Sequence, residues 1–147
     1  MTFQTLARTM TTALALVIAM PASPVFADGN RVSVTQWGRD NGVGASLVGR
    51  RNQLTVLQEG RGNSSISVVD GNRNQTVITQ NGHGNDTVTT QTGNCNVLGV
   101  SQSGNHNSAS ANQQGGCNAL GVIQVGNGNT STTTQIGGGN VIVVVQD

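Results

Sequence analysis

A chain of 147 residues with 35% hydrophobic, 9% charged and 2% aromatic side chains lacks the bulk of a conventional globular core: two Phe and one Trp are its only large rings. Seven Arg, no Lys and six acids leave a formal charge of +1 and no basic run to neutralise phosphates, which excludes an electrostatic nucleic-acid binder. Low charge with abundant Gly, Asn, Gln, Ser and Thr leaves a disordered polar chain or a self-associating one, and internal periodicity decides between them.

Residues 1–27 read as a secretory signal peptide. Arg8 is the sole charge before Asp28, and the apolar run Ala13–Met20 is shorter than the ~20 residues of a membrane span. Pro21 and Pro24 end that run, and Val25-Phe26-Ala27 places small residues where a signal peptidase reads. Cleavage after Ala27 predicts a mature domain over 28–147, free of proline and with equal numbers of Arg and acids. Export places Cys95 and Cys117 where a disulfide persists.

From Asn30 onward an eleven-residue repeat runs without insertion. Gly recurs at Gly38, Gly49, Gly60, Gly71, Gly82, Gly93, Gly104, Gly115, Gly126 and Gly137. Asn recurs at Asn30, Asn41, Asn52, Asn63, Asn74, Asn85, Asn96, Asn107, Asn118, Asn129 and Asn140. Two residues before each Gly stands Gln36, Gln58, Gln80, Gln91, Gln102, Gln113, Gln124 or Gln135, with Leu47 and Val69 as substitutes, and Gln146 closes the series. Gly makes up 21 of 147 residues, so an unbroken series at one spacing is not a product of composition.

The unit Gln-x-Gly-x-x-Asn plus five residues predicts a strand and a turn. Asn to the next Gln is the strand, and the segment from Gln to Asn is the turn, with Gly at a bend that a Cβ would obstruct. Alternate strand residues share a face. The second and fourth after each Asn are Val32/Val34, Val43/Ala45, Leu54/Val56, Ser65/Ser67, Thr76/Ile78, Thr87/Thr89, Leu98/Val100, Ala109/Ala111, Leu120/Val122, Ser131/Thr133 and Ile142/Val144, all apolar or small. The opposite face carries Arg31, Gln53, Gln75 and Asp86. Large pairs alternate with small ones, so the full unit is 22 residues, with large side chains lining one sheet and small ones the other.

This pattern predicts an all-β fold, a cross-β β-solenoid with two strands per 22-residue rung, about five and a half rungs and ~26 Å tall at the inter-strand spacing. Inward Asn and Gln are expected to form ladders in which each amide bonds its copies above and below. Cys95 and Cys117 stand one rung apart at the same turn offset, which admits either an intramolecular disulfide or two thiols that continue the column.

Gln-x-Gly-x-x-Asn-x5-Gln, doubled into a ~22-residue unit behind a signal peptide, resembles the curlin repeat of bacterial curli subunits from Asn30 to Gln146. The resemblance implies a secreted functional amyloid that polymerises at the bacterial cell surface into adhesive, pilus-like fibres of the biofilm matrix. It implies other copies of the chain as partners, with a nucleator subunit and an outer-membrane export channel. It leaves open whether the chain is the main subunit or the minor nucleator. Two features depart from the family. The repeats begin almost at Asp28, without a preceding Gly-rich export segment, and Leu47 and Val69 interrupt one Gln column.

No nucleophile elbow, phosphate loop, His-Glu-x-x-His motif or calcium nonapeptide occurs, so neither an enzyme nor a cofactor is expected. His83 and His106 fall in one turn column and Cys95 and Cys117 in the other, which disfavours a mixed zinc site. The Asn-x-Ser/Thr sequons at Asn63, Asn74, Asn85 and Asn129 are by-products of the repeat, and Trp37 is an exposed turn aromatic or a contact with a partner subunit. A soluble solenoid presenting an ice- or glycan-binding face is the competing class. Its Thr array, at Thr130, Thr132 and Thr134, is confined to one strand. Residues 87–146 carry no charge, and Val141, Ile142, Val143, Val144 and Val145 form a β-branched run. That run predicts an open polymerisation edge, joined head-to-tail to the first strand of the next subunit.

Overall fold

The computed structural model describes residues 29–147, so the signal-peptide expectation lies outside the described residues. Eleven strands follow one another: β1 (Arg31–Arg39), β2 (Gly42–Arg50), β3 (Gln53–Arg61), β4 (Ser64–Asn72), β5 (Gln75–His83), β6 (Asp86–Asn94), β7 (Val97–Asn105), β8 (Ser108–Gly116), β9 (Ala119–Asn127), β10 (Thr130–Gly138) and β11 (Val141–Gln146). Odd strands form a six-stranded parallel sheet in the order β1-β3-β5-β7-β9-β11, and even strands form a five-stranded one, β2-β4-β6-β8-β10. Every pairing joins residue i to residue i+22, as in Gln58↔Gln80 and Gly82↔Gly104. The chain is therefore an all-β, two-sheet β-solenoid with the 22-residue rung that the repeat predicts.

The strands differ from the expected seven-residue segments. Most span nine residues, begin just after Asn, and run through Gln-x-Gly-x. The series Gly is thus paired inside the strand and is not part of the turn, although its φ is between +99° and +131° throughout. The reversal occurs at the residue before each Asn, where φ is left-handed at Asp40, Arg51, Arg73, Cys95, His106 and Cys117 and also at Gly29, Gly62, Gly84, Gly128 and Gly139. A non-glycine residue there costs about 1–2 kcal/mol. The cost is tolerated because the backbone ladder continues around the corner: the N–H of Arg73 donates to Arg50 O and that of His106 to His83 O, at 2.9 and 2.8 Å.

Inward positions build the core, which is divided in two. Leu54, Val56 and Ile78 pack with Val43 and Leu47. Leu98, Val100, Ala109, Ala111, Leu120 and Val122 pack with Ile142 and Val144. Between the clusters lie buried Ser65, Ser67, Thr76, Thr87 and Thr89. Thr76 and Thr87 donate to the Gln91 and Gln102 side chains at 2.6 and 2.8 Å, while the hydroxyls of Ser65, Ser67 and Thr89 have no partner among the described residues. The large-and-small alternation between sheets is therefore broken at mid-stack, where Thr76 stands among the large pairs. At the first rung the predicted inward Val32 and Val34 are exposed, because no strand among the described residues covers β1 on its outer side.

Candidate functional site

Two kinds of feature mark the stack, and the first runs out of partners at the last rung. The first is the amide ladder. Gln36, Gln58, Gln80, Gln102, Gln124 and Gln146 form one continuous column, each Nε2 donating to the next Oε1 at 2.6–2.9 Å. Gln91, Gln113 and Gln135 form a shorter column in the other sheet at 2.8–2.9 Å. It starts above Leu47 and Val69, which carry no amide. Every Gln of the two columns except Gln36 also donates to a backbone carbonyl of the opposing sheet, such as Gln102 to Asp86 O at 2.9 Å, so the ladders tie the two sheets together.

The Asn columns differ from the expected amide-to-amide stacks. The Oδ1 of each Asn accepts the backbone N–H of the Asn one rung on, as in Asn85 from Asn107 at 3.1 Å. Its Nδ2 donates to the series Gly carbonyl of the next rung, as in Asn85 to Gly104 O at 2.9 Å. The same geometry recurs at Asn30, Asn52, Asn74, Asn96 and Asn118 in one corner and at Asn41, Asn63 and Asn107 in the other. Direct amide contacts are added at Asn63, Asn85, Asn107 and Asn118. Asn129 and Asn140 reach only within their own corner. A short side chain beside a left-handed residue lies too close to the main chain to stack only on its copies. The cap it provides is what the corner needs, since buried backbone groups must be paired.

This difference ranks two substitutions. Gln102→Leu strands the Thr87 hydroxyl and the Gln80 and Gln124 amides, which are side-chain groups that can re-orient, and one backbone group, the Asp86 carbonyl. Asn107→Leu strands the Asn129 N–H and the Gly126 carbonyl, which cannot move. Each unsatisfied buried group costs about 1–3 kcal/mol. Denaturant unfolding should therefore show Asn107→Leu as the more costly by at least ~1 kcal/mol. Equal losses would reject the ranking.

The second feature is the corner. Cys95 and Cys117 occupy left-handed positions one rung apart and are joined by a disulfide with Cα atoms 4.5 Å apart. In the same corner Arg50, Arg51, Arg73, Asn72 and Asn94 line an open cleft of about 470 Å³. The opposite corner holds His83, His106 and the Arg61–Asp40 ion pair at 3.3 Å, which is solvent-exposed and worth about 0–1 kcal/mol. Among the described residues no three His, Cys, Asp or Glu side chains gather as metal ligands.

Among the described residues, the strand edges at the ends of the stack are unpaired. β1 and β2 bound one end, β10 and β11 the other. Val141, Val143 and Val145 project outward from β11 with 74, 66 and 65% of their surface exposed, while Ile142 and Val144 lie half-buried against the core. Trp37 on β1 and Ile136 on β10 are 58 and 67% exposed. The left-handed position before each Asn escaped the sequence reading, although Gly29, Gly62, Gly84, Gly128 and Gly139 all fall on it.

Fold and edges define the class: a parallel β-solenoid whose terminal strands have no further neighbour among the described residues. No protein-family model matches the chain, and no curated protein resembles it significantly.

Proposed function

We propose that this chain is a secreted structural subunit that self-assembles into extracellular, curli-like amyloid fibres serving adhesion and the biofilm matrix. The observation that carries the reading is the pair of stack ends that no segment among the described residues caps. Each end presents two parallel edge strands in the register of an interior rung, and at the last rung the amides of Asn129, Asn140, Gln135 and Gln146 lack the next-rung partner that their interior copies have. An edge that is regular, β-branched and uncharged is a template for another chain, and 87–146 holds no charge to oppose it. A head-to-tail contact of this kind does not close, so it yields a filament. On this reading the further partners are a nucleator subunit and an outer-membrane export channel.

Thioflavin fluorescence and electron microscopy of the purified chain test the reading, with Val143→Lys as the informative variant. Val143 points outward from the terminal edge, so a Lys there leaves the core intact and places a charge where the next strand must pair. Elongation should slow severalfold while the monomer unfolds as before. Unchanged kinetics would remove β11 from the growth surface, and an absence of fibres from the unsubstituted chain would reject the fibre reading.

A further inference from the structure

We propose that successive copies of this chain join with a half-turn about the solenoid axis, so that β1 of one copy pairs with β10, and not β11, of the copy before it. The inference rests on the fibre reading and adds the geometry of the contact. Strands alternate between the two sheets, and the first and last, β1 and β11, both belong to the six-stranded sheet. If β1 of a second copy were laid on β11, its β2 would stand two rungs above β10. A strand would then be missing from the other sheet, and the facing edges of β10 and β2 would keep their N–H and C=O groups unpaired. A half-turn removes the gap. β1 then extends the five-stranded sheet on β10, β2 extends the six-stranded sheet on β11, and the eleven-residue phase runs on unbroken.

Three features fit the half-turned junction. Counting 22 residues on from each terminal position places Gln36 of the second copy over Gln135, whose Nε2 would continue the donation seen between Gln113 and Gln135. Asn140, whose Nδ2 reaches only the carbonyl of Ile136 in its own corner, acquires the Gly38 carbonyl of the second copy, as Asn118 has that of Gly137. Trp37 of the second copy lies over Ile136, which brings together two of the most exposed large apolar side chains. Without the half-turn, Trp37 would lie over Asp147 and Ile136 would have no strand above it.

The native disulfide supplies the test, because it shows that left-handed corner positions one rung apart lie within bonding reach. In the half-turned junction Gly139 faces Asp40 of the next copy, and Gly128 faces Gly29. Without the half-turn, Gly139 faces Gly29. Fibres are grown from the full chain as Gly139→Cys/Asp40→Cys, Gly128→Cys/Gly29→Cys and Gly139→Cys/Gly29→Cys, then oxidised with glutathione disulfide and run on a non-reducing denaturing gel. The first two should give a ladder of covalent multimers and the third monomers. A ladder from the third variant alone, or from none of them although filaments are present, overturns the half-turn and leaves the fibre reading standing. Absence of filaments overturns both. A second measurement needs no cysteine. Gly137→Ala should fold as a monomer yet fail to elongate, since its Cβ would meet the Gly38 carbonyl of the next copy as interior Cβ atoms would meet theirs. Normal elongation of that variant also overturns the half-turn.

Discussion

Gly82→Ala should lose the native fold. At Gly82 φ is +120°, and a Cβ built there overlaps the carbonyl oxygen of Gly104 on the next rung. That oxygen is already fixed, because it accepts the Asn85 side chain at 2.9 Å, and Asn85 in turn receives the backbone N–H of Asn107. The methyl group can be accommodated only by pushing the carbonyl away and breaking the corner cap. Backbone strain at positive φ costs about 1–3 kcal/mol, and an orphaned buried amide adds about 1–3 kcal/mol. The sum is comparable to the whole stability of a small domain. Gly137→Ala is the control. No rung lies above it among the described residues, and the nearest heavy atom to its Cβ is Asn140 Nδ2 at 3.1 Å. It should therefore cost only the strain, about 1–3 kcal/mol. Circular dichroism with denaturant titration separates the two. A Gly82→Ala variant as stable as Gly137→Ala would refute the carbonyl clash.

Removing the disulfide has the next largest expected effect. Cys95 and Cys117 are 22 residues apart, and closing a loop of that length in the unfolded chain corresponds to about 3 kcal/mol. The folded state supplies the spacing without the bond, since Asn94 and Gly116, the residues just before them, are already ladder partners. Cys95→Ala/Cys117→Ala should thus keep the fold and lower the unfolding free energy by about 3 kcal/mol, and a reducing agent should act in the same way on the unsubstituted chain. A reductant that leaves the denaturant midpoint unmoved would show that the bond constrains nothing the ladders do not already constrain.

Much of this molecule could be read from residue spacing, and the reason is geometric. In a parallel stack with one register, a position in one rung meets only its own copies in the next, so every constraint reappears as a period. The eleven-residue Gly and Asn series, the 22-residue alternation and the facing of Cys95 with Cys117 follow from that rule. The left-handed corner was hidden because its column mixes Gly with Asp40, Arg51, Arg73, Cys95, His106 and Cys117. A modest strain cost allows many residue types, and the period carries no uniform residue to mark it. Only the tertiary structure placed the series Gly inside the strand: its neighbour is a carbonyl one rung away, which no local turn rule contains. The same holds for the Asn amides, drawn from their copies to the Gly carbonyls by distance in the folded corner. It holds too for the polar seam at Ser65, Ser67 and Thr89, where in-register stacking buries hydroxyls that the alternation of faces alone leaves without assigned partners.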